Sequence, residues 1–145
     1  MSALDFQYEC GGLHLPALRL WLDPSRAQTG DDRVFVSHAH SDHIAAHREV
    51  ILTAPTARFM RARLRGQRIE HVLSFGQPTE FRTGRVRWTL TLLSAGHILG
   101  SAMALIQANA ESPLFTAHSQ LRPRPISDPR DPPHAHTLII ETTFG

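Results

Sequence analysis

Lysine is absent from this chain of 145 residues, and all fifteen basic side chains are arginine. Genomic base composition is the simpler source of that bias. Phosphate recognition is the functional one, because a guanidinium grips phosphate with a two-pronged fork. Cysteine occurs once, at Cys10, which excludes an internal disulfide framework and fits a reducing, cytoplasmic setting. No apolar run approaches the ~20 residues of a membrane span. The opening MSALDFQYEC lacks the basic and apolar regions of a secretory signal, so none is expected. Large charge excess is missing too: the formal net charge is +2, although the pI is near 9.5.

What is present is enough apolar material for one core, at 41% of the residues. The length suits a single domain over 1–145. Histidine is over-supplied: ten residues of a type that binds metals and shuttles protons.

Apolar patterning predicts a β-rich chain with short helices. LHLPALRLWL (13–22) reads as a hairpin turning near Pro16, stopped by Asp23-Pro24. RVFVS (33–37) and VILT (50–53) read as buried strands. Ser41 or Asp42 is placed to cap a short helix running to about Glu49. Thr53 and Pro55 begin a helix in APTARFMRARL, with Met60 and Leu64 facing a core and Gly66 ending it. HVLSF (71–75), TEFRT (79–83), RVRWTLTLL (85–93), AMALIQA (102–108), LFTA (114–117) and TLII (137–140) read as strands. SQLRPRPISDPRDPPHAHT, with five prolines, reads as loop.

The densest chemistry lies in VFVSHAHSDHIAAH (34–47), where a strand runs straight into His38, His40, Asp42 and His43. Two histidines at i and i+2 on a strand-end turn can converge on one ion, such as zinc. Asp42 and His43 can then reach a second ion nearby. Two ions suit hydrolysis, since they make water acidic and clamp a phosphoryl oxygen.

HAHSDH resembles the signature of the metallo-β-lactamase fold, a four-layer αββα sandwich of metal-dependent hydrolases. SAGHILGSA (94–102) resembles an element of its nuclease branch, whose members carry an inserted β-CASP domain. ETTFG (141–145) is similar to the run closing the first half of the hydrolase domain in that branch. The three motifs occur in the family's order across nearly the whole chain. The fold implied is the first half of that α/β (α+β) sandwich, mostly β with short helices. The implied activity is zinc-dependent phosphodiester cleavage of RNA or single-stranded DNA, by exonucleolytic or endonucleolytic attack of water. The resemblance assigns His38, His40 and His97 to a first zinc, and Asp42 and His43 to a second. Asp42 would also orient the attacking water, as the catalytic residue. Asp23 and Glu141 would support the ligands from behind.

Two departures stand out. Where the family has a Gly-Asp pair whose carboxylate bridges both metals, PLFTAHSQLRP (113–123) has Ala117-His118. A neutral imidazole offers one lone pair and no negative charge, so His118 is a doubtful ligand and a poor bridge. The β-CASP insertion and the second half, with their later ligands, do not appear within these 145 residues. The expectation is therefore a partial domain. It would be a piece of a longer enzyme, a degenerate metal-binding domain without turnover, or a half completed by another chain or by a second copy.

Arg58, Arg61, Arg63, Arg65 and Arg68 form a basic cluster, with Arg58, Arg61 and Arg65 at helical spacing, and offer a weak nucleic-acid-binding face, against the plainer reading of a solvated helix surface. His134 and His136 follow two prolines and read as loop. His47 and Cys10 carry no assigned role.

Overall fold

The computed structural model describes residues 5–39, 44–96, 99–108, 111–117 and 137–140. Among the described residues, eleven strands form two sheets. In the first sheet, β1 (Gln7–Glu9), β2 (Gly12–Leu15), β3 (Leu20–Leu22), β4 (Arg33–Phe35), β5 (Glu49–Leu52) and β6 (Ile69–Val72) lie side by side in chain order. The first three strands run antiparallel, and β3 to β6 run parallel. The second sheet orders β11 (Thr137–Ile140), β10 (Pro113–Ala117), β9 (Ala102–Gln107), β8 (Val86–Ser94) and β7 (Thr79–Thr83). Only its β10–β11 pair is parallel.

Alternation decides which side chain enters which layer. Leu20, Leu22, Phe35 and Ile51 point from the first sheet into a shared core with Phe81, Trp88, Leu90, Leu92, Ala104, Ile106 and Phe115 of the second. Trp21, Val34, Val36, Val50 and Leu52 point the other way, onto α1 (Ala54–Arg63) through Ala57 and Met60. β5 is buried throughout, with Val50, Ile51 and Leu52 apolar as a strand covered on both faces allows, and its charged Glu49 paired with Arg33 and His71. These are three layers, helix on sheet on sheet, of the expected αββα sandwich. On the outer face of the second sheet, Ala95, Met103, Leu105 and Leu114 form a smaller buried cluster.

The hairpin around Pro16 is present, turning through a 3-10 segment at Pro16–Leu18. The helix expected up to Glu49 is not: residues 44–47 take neither helix nor strand, and Glu49 already belongs to β5. Its start at Ser41 or Asp42 lies outside the described residues. The amides toward Glu49 are committed elsewhere: His47 N–H donates to the Ala45 carbonyl at 2.8 Å and Arg48 N–H to the Gln28 carbonyl at 3.0 Å, so neither makes the helical bond to the residue four before. Boundaries also move. α1 ends at Arg63, before Gly66. β6 starts at Ile69 because it pairs with β5 from Glu49 to Leu52.

Candidate metal centre

The parallel strands β3 and β4 end together, and their ends build the best-defined part of the site. Asp23 follows β3 in a left-handed conformation, φ +49°, which aspartate tolerates better than most residues. Its amide donates to the Phe35 carbonyl at 3.0 Å. The carboxylate is buried and accepts twice from Ser37: the amide reaches Oδ1 at 2.8 Å and the hydroxyl reaches Oδ2 at 2.5 Å. Ser37 Oγ also lies 2.7 Å from Nδ1 of His38, itself 1% exposed.

Proton bookkeeping assigns the tautomer. The serine proton goes to the carboxylate, so Ser37 Oγ must accept from His38, and Nδ1 carries the imidazole proton. The lone pair is then on Nε2. Metal-binding histidines are oriented in the same way, by a partner on the other ring nitrogen. Asp23, Ser37 and His38 thus form a carboxylate–hydroxyl–imidazole chain whose chemistry fits a zinc ligand.

The second motif loop is tied to this point. The Ala102 amide donates to the Ser37 carbonyl at 2.9 Å, joining the start of β9 to the end of β4. The loop closes on itself through Ala95 N–H to Ser101 O, 3.0 Å. Gly100 has φ +83°, and a Cβ there would stand 2.7 Å from Pro55 Cβ. Its carbonyl accepts from the Thr53 hydroxyl at 2.6 Å and the Thr56 hydroxyl at 3.2 Å. At the far end of α1, Arg63 Nη1 donates to the Ala39 carbonyl at 2.9 Å. Ala39 lies in sequence between His38 and His40.

Of the predicted site residues, His38 and Asp23 are brought together. His40, Asp42, His43, His97, His118 and Glu141 lie outside the described residues. Among the described residues, no three histidine, cysteine or acidic side chains gather as a metal-holding group. Arg58, Arg61 and Arg65 are all exposed. Arg61, however, is engaged by Glu70 of β6, with Nε 3.0 and 3.2 Å from the two carboxylate oxygens. Sequence reasoning missed Ser37, Thr56 and Arg63 as site-building groups. Ser37 had one available signal, its place directly before HAHSDH. The hydrogen bonds of Thr56 and Arg63 span 44 and 24 residues and had none.

Two other polar centres involve Glu49 and His47. Glu49 accepts from Arg33 Nε at 2.9 Å and pairs with His71 at 2.7 Å. Burial alone would push its carboxyl up, but the His71 and Arg33 bonds outweigh that and hold it below the usual range. His47 is 2% exposed, and its Nδ1 accepts the Gln28 amide at 3.0 Å. Burial lowers its pKa to about 4, with Asp23 opposing and Arg68 reinforcing that shift.

No protein-family model matches the chain. A "Probable DNA ligase" of Opitutus terrae is 50% identical over 135 residues, covering 92% of this chain and 13% of that protein. "Protein artemis" of Homo sapiens and of Pongo abelii are each 29% identical over 110 residues, covering 60% of this chain and 16% of theirs. The chain therefore spans about a sixth or less of the curated relatives it matches. A solved structure, "Crystal Structure of a Protein of Unknown Function from Enterococcus faecalis V583", aligns with a TM-score of 0.40 at 16% identity, over 58% of this chain and 24% of its own. A likeness of that size carries no argument.

Proposed function

We propose that this chain, which has the metallo-β-lactamase fold and resembles the first half of a β-CASP-branch nuclease domain, supplies the first share of a zinc-dependent phosphodiesterase site acting on nucleic acid. The observation that carries this reading is the Asp23–Ser37–His38 chain, joined to the 95–102 loop by the Ala102–Ser37 bond. It supports a histidine ligand in HAHSDH set beside the loop that bears His97.

His38, His40 and His97 would hold one zinc, and Asp42 and His43 a second. When bound, zinc supplies Lewis-acid charge for hydrolysis. The chain's own residues do the rest. Asp23 fixes Ser37 with two hydrogen bonds, and Ser37 holds the His38 proton on Nδ1, so the ring presents Nε2. Asp42 orients the water. Glu141 supports the ligands. Arg58, exposed on α1, and Arg65, exposed beyond the helix end and so not on the helix face expected for it, would contact the phosphate backbone without reading sequence. Arg61 is already neutralised by Glu70 and contributes less. The printed name of the Opitutus relative favours DNA over RNA.

A second reading rests on His118. With imidazole in place of a bridging carboxylate, two adjacent cations lose the charge that offsets their repulsion. The chain would then bind zinc without turning substrate over, or would need a completing chain.

The test is zinc per chain by elemental analysis, together with hydrolysis of end-labelled single-stranded DNA and RNA. The chain is compared with its His38→Ala and His118→Asp variants. We expect zinc in the unmodified chain and its loss in His38→Ala. Hydrolysis by the unmodified chain would reject the degenerate reading. Hydrolysis only by His118→Asp would favour it. A chain that holds no zinc, and cleaves in neither form, would sink the proposal.

A further inference from the structure

Helix α1 touches both motif loops from below, one near each end. Thr53 and Thr56 hold the Gly100 carbonyl at its start. Arg63 holds the Ala39 carbonyl at its last turn. Ala39 is also 3% exposed and packs in one cluster with Ala57 and Met60 of α1. The residue between His38 and His40 is thus anchored twice to the helix, by its methyl group and by its carbonyl. The same helix fixes the loop between Ala95 and Ala102.

From this geometry we infer that Arg63 is a positioning residue for the metal ligands. Its guanidinium clamps the backbone of the first motif to the helix that also holds the second, and so sets the distance between their ligands. The inference rests on the zinc reading above. Physically, a charged donor on a single carbonyl is one of the stronger backbone clamps. Arginine also reaches this carbonyl from a position where its charge stays near water, so the clamp needs no buried counter-charge. Two arginines of α1 therefore have structural jobs. Arg63 faces inward to the ligand loop, and Arg61 ties the helix to β6.

The experiment compares the full chain with Arg63→Ala, Arg63→Lys and Arg82→Ala, the last an exposed arginine on β7, outside both motifs. Zinc affinity is measured by competition with a chromophoric chelator, and thermal melting is recorded on metal-free protein. Arg63→Ala should weaken zinc binding about tenfold or more, the usual effect of removing a group that orients a ligand. Arg63→Lys should fall between, and Arg82→Ala should leave affinity unchanged. Metal-free melting should fall modestly in Arg63→Ala, which leaves the carbonyl of buried Ala39 without that donor, and stay close to the unmodified chain in Arg63→Lys and Arg82→Ala. Unchanged zinc affinity in Arg63→Ala, with the unmodified chain binding normally, overturns the inference and leaves the zinc reading standing. Loss of affinity that only tracks a lower melting temperature in both Arg63 variants overturns it as well. Failure of the unmodified chain to bind zinc removes the zinc reading, and this inference with it.

Discussion

His47 shows what one buried imidazole does to acid stability. Its Nδ1 accepts from Gln28, and its Nε2 is buried without a hydrogen-bond partner among the described residues. The folded chain therefore keeps it neutral, with a pKa of about 4 against an ordinary 6.5. Between those values the unfolded chain binds the proton and the folded chain does not. Stability thus rises with pH across that window and falls as acid is added. The loss should be on the order of 3 kcal/mol between pH 7 and pH 4. Glu49 acts in the same direction but lower, since its depressed carboxyl contributes above an ordinary 4.5 and loses that contribution on further acidification. Urea unfolding at pH 7.0, 5.5 and 4.5 separates the two. His47→Asn keeps an acceptor for Gln28 and should flatten the limb between pH 7 and 4.5. An unchanged limb would assign it to another group.

At the scale of the element, α1 is held where sequence expected it and for reasons sequence did not contain. The Thr53-x-Pro55 start was readable from capping chemistry, and the structure has Thr53 at the N-cap. The hydroxyl makes no capping bond, however. It donates to Gly100 instead, 47 residues away. Gly100 is needed there twice over, for its φ of +83° and for the contact a Cβ would make with Pro55. Gly100→Ala should therefore cost about 1–3 kcal/mol in denaturant unfolding, from strain in a left-handed residue. It should also displace the 95–102 loop and lower zinc affinity. Gly30→Ala, at a glycine with open space around it, is the control. Equal stability of the two variants would show that Pro55 and the loop yield without cost.

Across the whole molecule, stability is concentrated between the two sheets. Trp88 is 1% exposed and stacks on Phe81 at 4.9 Å. Its Nε1 donates to Thr83 Oγ1 at 3.0 Å, and that hydroxyl donates to the Leu18 carbonyl at 2.8 Å. One aromatic therefore fills the core and completes a polar link from the second sheet to the turn before β3. Trp88→Ala should cost about 3–5 kcal/mol, seen as a lower urea midpoint at unchanged slope. Trp88→Phe should cost less, because it keeps a ring against Phe81. A change in slope would mean instead that the sheets separate in the native ensemble.

By itself the sequence determined the β-rich class, most strand positions and the motifs that resemble a nuclease half-domain. Those properties are local. A strand is a short alternating run, and HAHSDH or SAGHILGSA carries its chemistry within nine residues or fewer. Only tertiary structure decided that residues 44–47 are not helical, because His47 and Arg48 are tied to Gln28, some twenty residues away in the chain. It alone decided that Ser37 links Asp23 to His38, and that Thr53, Thr56 and Arg63 hold the two loops. Each of those contacts depends on chain segments that meet only when the layers pack, and no spacing within a segment encodes such a meeting.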